Sequence, residues 1–344
     1  MSVMPNNPIE SFKTHSNYIR AFDLLTHDPA SSGEPNLYRY LRRRIAGPNI
    51  LPTASIAGID LERVQIILHS AWGTEALLSM TRRIIEEEEL LRLSNNWSSI
   101  QVYYIFYYCT QALHLAKGHP QRPEKHQITQ KIFNDYWASR SIVLPPWTLA
   151  YGADGAINMP PGIVPDPSVH PWVACAGSNV WNLAIKALMT TRREILEVRY
   201  RERRETKRKE YLKVWQDNER SRLVLGKRAR KSPRAALPKL TDAEKREINR
   251  RLRSYNIMDY FYRLRIKTNY TDSNMFSDGP EDNLSSRNIR EAFCRITSAT
   301  LFLHEHAICN LVGRQVFRGW IDEWICHNLP RHGAYGLASR REYY

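Results

Sequence analysis

Cysteine is scarce in this sequence. Its five cysteines have neither the even number typical of a disulfide-bonded domain nor the C-x-x-C spacing typical of a zinc-binding domain. An odd set of isolated thiols is typical of reduced, structural cysteines in a cytosolic protein. The sequence therefore predicts a cytoplasmic protein without a disulfide framework. Its thiols belong to Cys109, Cys175, Cys294, Cys309 and Cys326.

Long apolar runs are also absent. No window reaches the roughly 20 uninterrupted apolar residues that a membrane-spanning helix needs. The N-terminal string MSVMPNNPIESFKTH has no basic region followed by an apolar run, so it does not resemble a signal peptide. We therefore expect a soluble protein that makes no membrane contact.

The short motifs of several enzyme classes are missing too. The sequence contains no G-x-x-x-x-G-K-[ST], no G-x-G-x-x-G and no G-x-S-x-G. It therefore gives no support to a P-loop nucleotidase, a dinucleotide-binding enzyme or an α/β-hydrolase. Acid–base chemistry on RNA without a metal leaves almost no sequence signature, so that class stays open.

Helical spacing recurs along the chain, whereas the alternation typical of a β-sheet does not. The sequence predicts a mainly α protein, for which a helix bundle is the economical arrangement. Ser94, Asn95 and Asn96 are expected to separate two helices, and Thr241 with Glu244 matches a capping box. The predicted helices cover residues 37–45, 60–91, 97–117, 125–137, 178–224, 241–266 and 285–325.

Composition divides the chain into six segments. A segment with a short basic helix (1–59) precedes the first half of a helical bundle (60–143). A Pro/Gly/Trp-rich irregular segment (144–177) and a long basic helical insertion (178–240) follow. The second half of the bundle (241–330) and a C-terminal tail (331–344) complete the predicted organisation.

Positive charge is concentrated in one stretch. Residues 192–253 contain 23 Lys/Arg and 10 Asp/Glu, a net +13 out of the formal +15 of the whole chain. Such a segment favours contact with a polyanion through the phosphate backbone, without reading of bases. The alternatives are a solvated charged helix or a disordered arm around GKRARKSPR. The predicted nucleic-acid-binding residues are Arg199, Arg201, Arg203, Arg204, Lys207, Arg208, Lys209, Lys227, Arg228, Arg230, Lys231 and Arg234.

Residues 201–210 include no apolar side chain, so a helix there must project into solvent or meet a partner. The aromatic string YYIFYY at 103–108 could offer stacking platforms for bases, but its helical spacing favours packing in the core. The string His304-Glu305-His306 does not match a metal site, because histidines two positions apart do not share a helix face. We predict neither a metal nor a cofactor.

Two strings resemble the HEPN superfamily. Residues 95–137 (NNWSSIQVYYIFYYCTQALHLAKGHPQRPEKHQITQKIFNDYW) are similar to the first half of a HEPN domain, with its YYAxFHAAxALLLAKG-type helix. Residues 262–276 (YRLRIKTNYTDSNMF) resemble the second signature of that family. The long basic insertion lies between the two blocks.

The resemblance implies an all-α bundle that forms homodimers and acts on RNA or nucleotides. Many members are metal-independent ribonucleases of toxin–antitoxin or phage-defence systems, often encoded beside a partner protein. Matched motif positions give the candidate catalytic residues, with His126 or another histidine of the bundle as general base for attack by the ribose 2′-hydroxyl and Arg265 stabilising phosphate charge. These candidates are Tyr104, His126, Arg265, Asn269, Tyr270 and Asp272.

One departure from the family pattern leaves a second function open. The R-x4-6-H motif of the ribonuclease members is absent from both matching blocks, since Arg122 and His126 are one residue too close. Arg20 and His27 have the spacing but lie outside the resemblance. The alternatives are therefore a ribonuclease and a non-catalytic nucleic-acid-binding scaffold or regulatory subunit of a defence complex. In the second case the matched residues would be structural.

Overall fold

The computed structural model describes residues 7–47, 50–51, 58–84, 87–120, 123–140, 143–228, 230–231, 238–328 and 336–344. It confirms the predicted mainly α fold. Short π-helical turns follow α6 and α9, at Asn134–Ala138 and Lys267–Thr271. The helices are α1 (Pro8–Thr26), α2 (Pro29–Ser32), α3 (Leu37–Ile45), α4 (Leu61–Ile84), α5 (Glu88–Ala116), α6 (His126–Phe133), α7 (Asn179–Val224), α8 (Asp242–Arg251), α9 (Ile257–Ile266), α10 (Met275–Asp278), α11 (Asn283–Val312), α12 (Arg314–Asn328) and α13 (Leu337–Arg340).

The centre of the bundle is the pair α5 and α11, which pack on each other and on α4. Helix α11 is buried nearly all round, because α1 and α3 cover other sides of it. Phe106, Phe261 and Phe293 lie fully buried in this core. The Trp147 indole joins it by donating a hydrogen bond to Thr300 Oγ1 at 2.9 Å, so the Pro/Gly/Trp-rich segment is part of the folded bundle.

The predicted separation of two helices at Ser94–Asn96 is wrong, because α5 runs through these residues without a break. Asn95 is fully buried and donates to the Ser286 carbonyl at 3.0 Å. Arg290 of α11 donates to Asn95 Oδ1 at 3.0 Å and also to Ser94 Oγ. Tertiary partners thus satisfy the polar side chains that would otherwise compete for the helix backbone.

Two predicted helices are each broken in two. The capping box at Thr241 and Glu244 is confirmed, but α8 ends at Arg251 and a second capping box at Asn256 starts α9. The helix predicted over 285–325 is interrupted at Gly313, whose φ of 94° lies in the left-handed region that favours glycine. Apolar spacing continues across both breaks, so periodicity alone does not reveal them.

A small antiparallel sheet was not predicted. Its strands are β1 (Ala150–Gly152), β2 (Gly155–Ile157) and β3 (Tyr255–Asn256), in the order β2-β1-β3. Ala150 lies opposite Ile157 on one side and Asn256 on the other. Strands of two or three residues are too short to show an alternating pattern.

Helix α7 is confirmed from residue 179 to residue 224, and it leaves the core after about the first third of its length. Its buried side chains end at Arg192, apart from Glu219. Arg192 fixes this exit point, because its Nη2 donates to the carbonyls of Asn249 at 2.7 Å and Leu252 at 3.1 Å. The remaining 32 helical residues correspond to about 48 Å of helix. We call residues 193–228 the basic arm.

The segment predicted as a C-terminal tail contributes to the core in its described part, residues 336–344. Arg340 is fully buried between Glu75 of α4 and Glu305 of α11. The Tyr344 hydroxyl donates to Glu305 Oε2 at 2.5 Å. No local sequence pattern marks these residues as structural, since their partners are far away along the chain.

Candidate nucleic-acid interface and active site

The structure brings three of the predicted catalytic residues together where α5, α6 and α9 meet. His126, the first residue of α6, forms a hydrogen bond of 2.8 Å between its Nδ1 and the Tyr103 hydroxyl. Arg265, near the end of α9, donates from Nη1 to the Tyr104 hydroxyl at 3.0 Å. The Arg265 guanidinium also lies 5.0 Å from the Tyr103 ring and 5.3 Å from the Tyr262 ring. We call these five residues the His126–Arg265 cluster.

The electrostatics of the cluster favour the neutral form of the His126 imidazole. Partial burial lowers the pKa of His126 below its usual value, and the positive charge of Arg265 lowers it further. His126 is therefore neutral at neutral pH. When Nδ1 carries the proton and donates to the Tyr103 hydroxyl oxygen, Nε2 keeps the lone pair that a general base needs.

Arg265 is held mainly by aromatic rings, which leaves part of its hydrogen-bonding capacity unused. Its Nε is buried and has no hydrogen-bond partner among the described residues. Cation–π contacts with Tyr103 and Tyr262 position the charge without neutralising it. Since Nε is buried, a phosphate oxygen would have to bind to the terminal nitrogens of this guanidinium.

The other three predicted catalytic residues follow α9, in the π turn and at its end. Asp272 is buried and accepts a hydrogen bond of 3.4 Å from Ser11 Oγ of α1. Asn269 and Tyr270 lie on the exposed side of the π turn after α9, where Tyr270 is 78% exposed. Asp272 thus bonds to α1, and Arg265 bonds to α5.

Ten of the twelve predicted nucleic-acid-binding residues fall into two groups of five, along the basic arm and just beyond it. Ion pairs hold several of them, such as Lys207 with Glu244 at 2.8 Å and Arg230 with Glu219 at 2.9 Å. Arg204 is half-buried, Arg234 lies outside the described residues, and others make no ion pair with any described residue. The exposed residues of this unpaired group are Arg201, Lys209, Lys227, Arg228 and Lys231. Those in ion pairs are Arg199, Arg203, Lys207, Arg208 and Arg230.

Sequence reasoning missed an apolar stripe on the outer face of α5. Leu90, Leu93 and Trp97 are 48%, 49% and 69% exposed. Ile100 and Tyr104, both half-buried, continue the stripe at the next positions of a seven-residue repeat. The spacing was visible in the sequence, but the predicted interruption at residues 94–96 concealed it.

His304 of α11 has both of its ring nitrogens engaged by the protein itself. Nδ1 of His304 donates to the Thr300 carbonyl at 2.8 Å, and its Nε2 accepts from the Trp137 indole at 3.1 Å. Over the ranges that the structure covers, no three His, Cys, Asp or Glu side chains are arranged to hold a metal ion. Over the same ranges, no helix combines the length and apolarity needed to cross a bilayer.

Comparisons of the chain with known protein families, curated proteins and solved structures find no match. No activity can therefore be inferred from a relative. Its function has to be argued from the basic arm, the His126–Arg265 cluster and the α5 stripe.

Proposed function

We propose that the protein is a HEPN-like nucleic-acid-binding protein that binds RNA in preference to DNA through the basic arm. The observation that carries the proposal is that α7 leaves the core after Arg192 and that the basic arm and the residues just beyond it expose lysines and arginines that make no ion pair with any described residue. The preference for RNA rests on the HEPN resemblance. Five free cysteines agree with a reducing, cytoplasmic location.

The physical argument is one of counterion release. A helix with this charge attracts a phosphate backbone, and each phosphate that it neutralises frees condensed counterions. Surface ion pairs such as Arg199 with Glu202 are worth less than about 1 kcal/mol. An arginine in such a pair can therefore exchange its carboxylate for a phosphate at little cost.

Removal of three charges from the arm tests this proposal. We expect Lys209→Gln, Lys227→Gln and Arg228→Gln together to weaken binding of single-stranded RNA roughly 10- to 100-fold at about 0.1 M salt, because each lost phosphate contact lowers the salt slope by about 0.7. Binding would be measured by fluorescence anisotropy across a salt series.

The matched control removes three exposed charges from outside the arm, at Arg20, Lys131 and Arg318. The two triple variants have the same net charge, so a general effect of charge would weaken both alike. If the two variants bind RNA with equal affinity, the basic arm does not form the RNA-binding surface. Circular dichroism would establish that both remain folded.

We propose as a second function that the His126–Arg265 cluster cleaves RNA without a metal. The neutral imidazole of His126 would take the proton of a ribose 2′-hydroxyl, and the resulting oxygen would attack the adjacent phosphorus. The bond from phosphorus to the 5′-oxygen then breaks, which gives a 2′,3′-cyclic phosphate and, after protonation, a 5′-hydroxyl. Arg265 would stabilise the charge on the phosphorus oxygens, and Tyr104 would orient Arg265.

Cleavage of labelled total RNA in EDTA separates this activity from a binding scaffold. We expect His126→Ala and Arg265→Ala each to slow cleavage at least about 100-fold, since each removes a group that acts in the transition state. His327→Ala, an exposed histidine on α12, serves as the control. Wild-type protein that retards RNA in a salt-sensitive way without cutting it would be the non-catalytic scaffold.

The homodimer implied by the resemblance is proposed to form through the α5 stripe. Exposed apolar side chains at a seven-residue repeat are typical of a helix that packs against another helix. A second copy offers the same stripe, as a two-fold symmetric interface requires. Since Tyr104 belongs to both the stripe and the His126–Arg265 cluster, this dimer would place the two clusters beside one interface.

A further inference from the structure

A cleft of about 330 Å³ lies between α3, the end of α11 and the start of α12, on elements that the proposed functions do not use. Arg42 of α3 and Arg314 of α12 line it, together with His306, Asn310, Tyr343 and Tyr344. The volume falls at the lower end of the range for small-molecule sites. None of the described residues that line the cleft has a carboxylate side chain.

Arg42 differs from the other arginines of its helix. Arg39 and Arg43 lie 3.8 Å and 3.3 Å from the Glu34 carboxylate, so this residue just before α3 already supplies them with a counter-ion. Arg42 makes no ion pair or hydrogen bond with any residue that the structure describes. Its charge is therefore available to an anion in the cleft.

Arg314 supplies a second positive charge. Its Nε donates to the main-chain oxygen of Tyr344, which fixes the side chain and leaves the two terminal nitrogens for a ligand. Two guanidinium groups beside one cleft match a phosphoryl group better than a carboxylate, because a phosphomonoester has three terminal oxygens and a charge of about −2, whereas a carboxylate has two oxygens and a single charge.

His306 adds a hydrogen-bond acceptor to this positive cleft. Its Nδ1 donates to the Phe302 carbonyl at 3.0 Å. Burial is the main cause that lowers the pKa of His306 to about 4; the charges of Arg42 and Arg314 add to the lowering, while the Phe302 hydrogen bond and the Glu305 charge oppose it. The imidazole is therefore neutral and its Nε2 can only accept a hydrogen bond, which suits a hydroxyl group of the ligand.

We propose that this cleft binds a small phosphomonoester that carries hydroxyl groups, such as a sugar phosphate. The phosphoryl group lies between Arg42 and Arg314. The hydroxyl-bearing remainder donates to His306 Nε2 and to the Asn310 side-chain amide oxygen. This site is separate in sequence and structure from the basic arm, so it can be correct whether or not the arm binds nucleic acid.

Isothermal titration of the full chain with ribose 5-phosphate at pH 7 tests the site. We expect saturable binding, no binding of ribose, and displacement of ribose 5-phosphate by inorganic phosphate. Arg42→Gln should weaken binding about tenfold or more, because it removes a charged hydrogen-bond donor to the phosphoryl group. Arg43→Gln is the matched control on the same helix and should bind as the wild type does.

Two further variants keep the test decisive. Arg314→Gln should also weaken binding about tenfold or more, with its melting temperature measured because Arg314 contacts Tyr344. The triple variant of the basic arm should bind ribose 5-phosphate normally. The proposal is overturned if the wild type shows no saturable binding, if ribose binds as tightly as its phosphate, or if Arg42→Gln binds like Arg43→Gln.

Discussion

Replacement of Arg340 by Met is expected to lower the free energy of unfolding by about 3–5 kcal/mol, the usual cost of removing one partner from a buried ionic group. The Arg340 side chain is 0% exposed and donates to Glu75 Oε2 at 2.9 Å and to Glu305 Oε2 at 2.7 Å. Without it, two carboxylates would face each other inside the core with no positive charge between them. The unfolding free energy would be measured by urea denaturation.

Arg341→Met is the matched control for this prediction. Arg341 is the next residue, and its ion pair with Asp322 at 2.7 Å is half exposed to solvent. A surface pair of this kind contributes at most about 1 kcal/mol. Similar losses for Arg340→Met and Arg341→Met would show that the buried cluster does not hold the fold together.

A compensating variant separates lost charge balance from lost packing. Combining Arg340→Met with Glu75→Gln and Glu305→Gln removes both unpaired charges, and each glutamine keeps the shape of the glutamate that it replaces. We expect this triple variant to be more stable than Arg340→Met alone, because the penalty of two buried, unpaired carboxylates disappears. The Glu305 partners Trp72 and Tyr344 bond to its Oε1 and Oε2 in the wild type, so a part of the loss should remain.

Predictions from the sequence succeeded where structure depends on neighbours along the chain. Helix α3, the length of α7 and the capping box at Thr241 all follow from spacing or from cap residues a few positions apart. The continuity of α5 through residues 94–96 could not be predicted from neighbouring residues, because Asn95 is stabilised by Arg290, which lies 195 residues further along the chain. The structural role of Arg340 could not be predicted for the same reason, because its partners Glu75 and Glu305 are distant in the sequence.

The candidate site was foreseen in part. The resemblance named Tyr104, His126 and Arg265 together, and the structure places them in one cluster although Arg265 lies 161 residues from Tyr104. Asp272, named by the same resemblance, bonds instead to Ser11 of α1. A motif records which residues recur in a family, but the direction of each side chain depends on the elements packed around it.

The α5 stripe leads to the second large effect, on the assembly of the protein. We expect the double variant Leu93→Glu and Trp97→Glu to convert a dimer into a monomer, with the dissociation constant raised at least about 100-fold. Each substitution would place a negative charge on an apolar seam, and in a two-fold dimer the introduced carboxylates would also repel those of the second copy. Multi-angle light scattering after gel filtration, over a concentration series, measures the change. Ile66→Glu, at an exposed apolar position of α4, is the control.

The same double variant also tests how the dimer relates to the cluster. Tyr104 continues the stripe and accepts a hydrogen bond from Arg265, so separation of the two copies would expose one side of the cluster to solvent. We therefore expect the monomer to lose RNA cleavage while the basic arm, which lies on α7, still binds RNA. A wild type that is monomeric at all concentrations would refute the dimer. A monomeric variant that cleaves at the wild-type rate would show instead that each cluster works alone.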